Sequence, residues 1–243
     1  FSTHGPTALI AEACDSGAFD YVNLHWYYIR QDNGPALDAA RRQDMGVFII
    51  SPTDKGGHLH TPSQRLLELC APLHPIVFND LFCLQDPRVH TISVGAARPE
   101  DLELHLEALR LLQDAASLIA PVDQRLRQAA DEALGRDWMA TWSVGLPPWH
   151  ATPGEINLPV LLWLYNLLEA WDLESYAKAR YGLLGSGGHW FAGANADGFE
   201  DEVSVEDLQS VLQESPWRER IPEILRSLKQ RLKGESQLRL SSV

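Results

Sequence analysis

The densest run of chemically capable residues is Ser51-Pro52-Thr53-Asp54-Lys55-Gly56-Gly57-His58-Leu59. It carries hydroxyls, an ammonium and two glycines, and it follows directly on Val47-Phe48-Ile49-Ile50. Those four apolar residues read as a strand buried on both faces, which Ser51-Pro52 stops abruptly. In parallel α/β folds the loops at the C-terminal strand ends converge on one crevice, and ligands bind there. His4, His25, His58 and His60 fall at such ends or in the loops after them. Histidines so placed would suit a metal hydrolase, but carboxylate ligands at matching strand ends are lacking. We read them as polar surface, with His4 as a pocket-lining residue.

Other candidates reduce to plainer roles. Cys14, Cys70 and Cys83 show no paired spacing, which excludes a disulfide framework and a four-cysteine metal site within one chain. No Lys-Ser/Thr follows Gly185-Ser186-Gly187-Gly188, so that run reads as a turn and not a phosphate loop. Trp138, Trp142, Trp149, Trp163, Trp171 and Trp190 read as packing of a helical region on what precedes it, in place of an aromatic cleft.

The elements that must position these groups follow from periodicity and punctuation. Phe1 to Gly5 reads as the end of a strand. A helix from Pro6 carries Leu9, Ile10, Ala13 and Cys14 at helical spacing and ends at Gly17. Phe19 to Leu24 is a strand, Pro35 to Asp44 a helix, and Val47 to Ser51 the next strand. Pro62 to Cys70 and Ile76 to Leu84 are short apolar helices, and Val89 to Val94 is a strand ending in Gly95-Ala96-Ala97. Pro99 to Gln113 is a helix with acids in its first turn, where the macrodipole favours them, and with Leu102, Leu106, Leu109 and Leu112 on its buried face. Such alternation of strand and helix implies parallel strands with right-handed helical crossovers.

Beyond residue 113 the pattern turns helical. Helices are expected within Ala115 to Leu134 after Pro121 (with Leu126, Ala129, Ala130 and Ala133 inward), and over Glu155 to Glu169, Ser175 to Tyr181, Val205 to Gln213 and Ile221 to Lys233. Asp137 to Gly154 and Gly185 to about Asp201 read as loops, and Ser236 onward as a frayed tail.

Composition narrows the class. With 243 residues, 45% of them hydrophobic, the chain can bury a sizeable core. A net charge of -13 argues against nucleic acid or an anionic membrane surface as partner. No apolar run of about 18 residues and no signal peptide is visible, and the unpaired cysteines suit a cytoplasmic setting. The opening at Phe1, in mid-pattern, suggests a fragment whose upstream part is absent.

Residues 1 to 113 resemble the C-terminal half of an aldo-keto reductase, a nicotinamide-dependent (β/α)8 enzyme. Ser2-Thr3 resembles the Ser-Asn pair ending the fifth strand, and Asp20-Tyr21-Val22-Asn23 resembles the sixth-strand segment; in the family both hold the nicotinamide carboxamide. Ile49-Ile50-Ser51-Pro52 resembles the seventh-strand Ala-Tyr-Ser-Pro segment, whose following loop reaches the pyrophosphate. Val94-Gly95-Ala96-Ala97-Arg98-Pro99-Glu100 resembles the loop and helix start that bind the adenosine phosphate. The resemblance thus implies a cofactor cradle of Ser2, Thr3, Asn23, Ile50, Ser51, Pro52, Thr53, Lys55, Gly95, Ala96, Arg98 and His105, with NADP or NAD as cofactor. Ser2, Thr3 and Asn23 have the donors and acceptors a carboxamide needs. Ser51, Thr53, Lys55, Gly56 and Gly57 could cover a pyrophosphate, and Arg98 a 2'-phosphate.

The departures are specific. Ile50 stands where an aromatic would stack on the nicotinamide, Asp101 where the phosphate-binding Arg would be, and Leu104 and His105 where a Glu-Asn pair would hold the adenine. The family's catalytic Asp, Tyr, Lys and His belong to the first half of its barrel, so no residue here is assigned a catalytic role. Residues 145 to 167 also resemble the C-terminal ferredoxin-like domain found in one branch of the family. No cysteine occurs after Cys83, so no iron-sulfur cluster is expected.

The expectation is therefore an α/β chain: a partial (β/α)8 barrel of about four C-terminal βα units over residues 1 to 113, then a helical domain over 114 to 243. Its function would be NAD(P)H-dependent reduction of a small aldehyde or ketone, with this portion inactive alone. The alternative is a noncatalytic degenerate barrel that binds a nucleotide or a partner. The open barrel edge leaves the oligomeric state undefined and favours pairing or aggregation.

Overall fold

The structure, a computed structural model, describes residues 1 to 96, 98 to 185 and 192 to 234. The readings of Ser186 to Gly188, Trp190, Ala97 and the tail from Ser236 lie outside the described residues. The chain divides into two compact units, Phe1–Arg127 and Gln128–Val243.

The first unit alternates strand and helix in the expected order. Its elements are α1 (Thr7–Asp15), β1 (Tyr21–Leu24), α2 (Gly34–Arg42), β2 (Gly46–Ile50), α3 (Pro52–Lys55), α4 (Gln64–Cys70), α5 (Pro75–Leu84), β3 (Thr91–Ser93) and α6 (Asp101–Leu111). The starts have local causes. Proline stands at the first turn of α2, α3 and α5, where a missing N–H costs nothing. Ser63 caps α4 by accepting the Leu66 N–H at 3.1 Å.

The three strands are parallel and lie side by side in chain order, β1-β2-β3. Ser2 forms a parallel bridge to Asn23, so the first residues run alongside β1 as a further strand would. The helices cover one face of this sheet. Val22, Leu24, Val47 and Ile49 are fully buried there, against Ile10 and Cys14 of α1, Ala36, Leu37 and Ala40 of α2, and Cys83 of α5. Each such side chain contributes about 1.5 to 3 kcal/mol on burial.

The residues between them point the other way. Tyr21 is 49% and Phe48 41% exposed, their rings 6.1 Å apart on an open face. This corrects the expectation that β2 is buried on both faces: a strand with helices on one side only buries every second residue. A second correction concerns α6, where Leu102, Leu106 and Leu109 are 48%, 44% and 56% exposed. The residues α6 buries are Asp101, His105 and Ala108, because His105 meets Asp80 of α5 and turns the leucine stripe outward.

α7 (Ala115–Leu134) runs across the division between the units, with Pro121 inside its first half. Leu126, Ala129 and Ala130 are buried as expected, whereas Leu134, not Ala133, continues the buried stripe. The second unit continues with α8 (Arg136–Thr141), α9 (Leu158–Trp171), α10 (Glu174–Tyr181), α11 (Val205–Ser210) and α12 (Ile221–Leu232). The start of the expected loop after Asp137 is helical. Trp138 organises it: fully buried, it donates through Nε1 to Asn166 Oδ1 at 2.6 Å and carries the Arg220 guanidinium 4.4 Å above its ring. Trp138 is thus a packing residue.

Among the described residues no single helix is long and apolar enough to cross a membrane; α4 and α5 reach that length and apolarity only together, with a 53° bend between them.

Candidate functional site

The candidate residues gather at the C-terminal end of the sheet because of its register. Ser2 pairs with Asn23, Asn23 with Phe48, and Ile50 with Ser93. Ser2 is exposed and Asn23 half-buried, so a hydroxyl and a carboxamide from neighbouring strands stand side by side. Thr3 turns to the local backbone instead, its Oγ1 accepting the Gly5 N–H at 3.0 Å.

β2 ends in a strained step. Ser51 has φ 52° and ψ 49°, a left-handed conformation unusual for a non-glycine residue and made less favourable by the proline after it. Such strain costs about 1 to 3 kcal/mol and persists only where the surroundings over-determine it. Here the Ser51 N–H donates to the Ser93 carbonyl at 3.1 Å, and the Ser51 carbonyl accepts the Lys55 N–H at 2.9 Å. Buried Asn79 donates to the Pro52 carbonyl at 3.0 Å and accepts the Tyr28 N–H at 3.1 Å. Gly56 allows the turn to close, since a Cβ there would lie 1.9 Å from the Pro52 carbonyl oxygen.

Below this turn sits a polar chain. The Tyr27 hydroxyl donates to the Ile50 carbonyl, and His25 Nδ1 lies 2.6 Å from the same hydroxyl. A phenol has one proton, so with that proton on the Ile50 carbonyl it is His25 Nδ1 that donates to the hydroxyl. The His25 carbonyl accepts from Asn33 at 2.9 Å, and the Asn33 oxygen accepts from Thr7 at 2.9 Å. His4 stacks on His25 with ring centroids 5.1 Å apart. These contacts tie the ends of three neighbouring segments into one framework.

The loop after β3 is different in kind. Gly95 and Ala96 are exposed, and a Cβ on Gly95 would meet nothing within 4 Å. Arg98 donates its N–H to Asp101 Oδ2 at 2.9 Å and its guanidinium to Oδ1 at 3.3 Å. His105 lies inside, 7% exposed, with Nδ1 2.5 Å from Asp80 Oδ2. The bond to Asp80 raises the His105 pKa, while burial raises that of Asp80.

Tested against a nicotinamide dinucleotide, these residues fit in part. Ser2 and Asn23, bridge partners on neighbouring strands, carry the hydroxyl and carboxamide that a nicotinamide carboxamide would require. Thr53 Oγ1, fully buried and without a hydrogen-bond partner among the described residues, is an orphaned donor directly after the strained step. Pro52 is buried with it, and Lys55 is half-buried at the end of α3. The Gly57 N–H is spent inside the turn on the Asp54 carbonyl, so that glycine serves the fold. Ile50 is half-buried and offers apolar contact only. Arg98 bonds Asp101 through one guanidinium nitrogen and its side chain stays 68% exposed, whereas His105 is buried with Nδ1 on Asp80. Of the remaining histidines, His58 faces Asp54 at 3.6 Å and His60 faces Asp101 at 3.4 Å. Among the described residues no group of three or more His, Cys, Asp or Glu is placed to hold a metal ion.

Tyr27, Asn79 and Asp80 are absent from the sequence-derived set. Tyr27 had a signal, the polar and aromatic run His25-Trp26-Tyr27-Tyr28 directly after a strand. Asn79 and Asp80, two polar residues within an otherwise apolar helix, had another.

A scan against family models, a search of curated proteins and a search of solved structures each return no match to this chain.

Proposed function

We propose that this chain is the cofactor-holding part of an oxidoreductase of the aldo-keto reductase type, acting on a small aldehyde or ketone. The observation that carries the reading is the register at the sheet's C-terminal end. Ser2 beside Asn23, and the strained Ser51 step held to Ser93, bring the family-like motifs of four segments to one edge. Sequential parallel strands with helices on one face are also the winding of a (β/α)8 barrel; a doubly wound sheet carries helices on both faces. The open face with Tyr21 and Phe48 is then the inner face of a partial barrel.

In this reading Ser2 and Asn23 orient the carboxamide, and the Ser51–Lys55 turn with the Thr53 hydroxyl contacts the pyrophosphate. The nicotinamide, when bound, supplies the hydride. The residues named here bind and orient; none is positioned to protonate a developing alkoxide. Calorimetric titration with NADH tests the proposal. Saturable binding that is weakened by Asn23→Ala, without carbonyl reduction by the chain alone, is the expected outcome. Absence of binding at millimolar NADH would refute it.

A further inference from the structure

Leu102, Leu106 and Leu109 of α6 stand at the i, i+4, i+7 spacing of a coiled-coil seam. In the fold that seam faces outward: α6 buries Asp101, His105 and Ala108, and the three leucines stay about half exposed. Three leucines in one row make a contiguous apolar surface, unlike the single exposed side chains that every protein carries.

The row is bordered by charge. Glu103 and Arg110 are seven residues apart and so lie on one line along the helix; their side chains are 70% and 68% exposed, and their closest charged atoms are 4.0 Å apart. Glu107 stands farther round the helix from the leucines. The acid is in the first turn and the base in the last. This order makes the surface complementary to itself. Turned end over end about a two-fold axis near Leu106, it sets Glu103 of one copy against the partner's Arg110, twice, with leucine against leucine between them. A parallel pairing would set like charge against like.

We propose that the leucine face of α6 is an isologous interface on which a second copy of this chain docks, helix against helix and antiparallel. Burial of the leucines supplies the attraction, and the two ion pairs set orientation and register. The chain's net charge of -13 opposes unspecific association, so the contact depends on this local complementarity. One helix of 11 residues offers less than the roughly 1,600 Å² of a standard interface, so the dimer is a reversible one.

The test is sedimentation velocity of the whole chain from about 1 to about 300 μM, the span in which a contact of this size exchanges between monomer and dimer. The dimer fraction should rise with concentration. Leu106→Lys, at an exposed position, should weaken association at least about tenfold with unchanged circular dichroism. Glu103→Arg and Arg110→Glu should each weaken it about fivefold or more, because each sets like charges opposite one another in both pairs. An equimolar mixture of these two variants restores opposite charges across the interface, as does the double exchange in one chain, and both should recover association. A monomer at every concentration would overturn the interface. A dimer indifferent to Leu106→Lys would also overturn it and place self-association elsewhere, such as the open sheet edge. Failure of the mixture to associate better than either variant alone would overturn the antiparallel arrangement.

Discussion

Asn79 and Pro52 lie 27 positions apart in sequence, and the Asn79 carboxamide donates to the Pro52 carbonyl at 3.0 Å in a buried setting. With its oxygen on the Tyr28 N–H, the one side chain holds the loop after β1 and the turn after β2. Asn79→Ala should therefore cost about 2 to 4 kcal/mol, because it leaves two buried backbone groups unpaired. Urea titration followed by circular dichroism measures this. A loss below about 0.5 kcal/mol would show that the turn is held by other means.

Two glycines should respond unequally to the same substitution. Gly56→Ala places a methyl 1.9 Å from the Pro52 carbonyl oxygen, so the turn must open or the protein must lose about 1 to 3 kcal/mol or more. Gly95→Ala meets open space and should change stability by no more than about 0.5 kcal/mol. Thermal melts of the two variants side by side would distinguish them, and equal effects would contradict the geometry.

The Asp80–His105 pair makes stability depend on pH. The His105 pKa is raised in the fold, so its contribution is complete below its unfolded value of about 6.5 and is lost as pH rises through the folded value. Asp80 is raised as well, which also favours the protonated pair. Stability should fall as pH rises above about 6.5, and His105→Gln should flatten that slope. Denaturant midpoints across the range provide the check; a steeper slope in the variant would rule out the assignment.

The thiols should be silent in the folded protein. Cys14, Cys70 and Cys83 are fully buried; burial pushes Cys70 up to about 12, and Cys83 well above the ordinary thiol range. Reaction with a thiol-specific disulfide reagent near pH 8 should be slow until denaturant is added, and should then reach three equivalents. Fast reaction of any thiol in the native protein would show that the core around it opens.

The order of elements in the first unit was legible because strand runs are short and apolar and Pro and Gly mark the boundaries. Pro75 and Gly17 stand where helices begin and end. What could not be read was which way the apolar residues face. Leu102, Leu106 and Leu109 form a regular stripe, and periodicity alone assigns such a stripe to the core. The Asp80–His105 contact decides otherwise, and it depends on two residues 25 positions apart. Phe48 is exposed for a similar reason, since burial of a strand's second face depends on what lies opposite. At the candidate site, Ser2 and Asn23 were accessible through motif resemblance. Tyr27 and Asn79 stood in visible patterns, a polar aromatic run after a strand and polar residues within an apolar helix, but their partners, the carbonyls of Ile50 and Pro52, are set by the fold and by no side-chain pattern.

The central claim is that the C-terminal end of this sheet holds a nicotinamide dinucleotide. Hydrogen–deuterium exchange of the protein with and without saturating NADH tests it most directly. The account predicts slowed exchange in the peptides that contain Ser2–Thr3, Asn23 and Ile50–Lys55, with little change in α9 to α12. Protection confined to those later helices, or no protection anywhere, would contradict it.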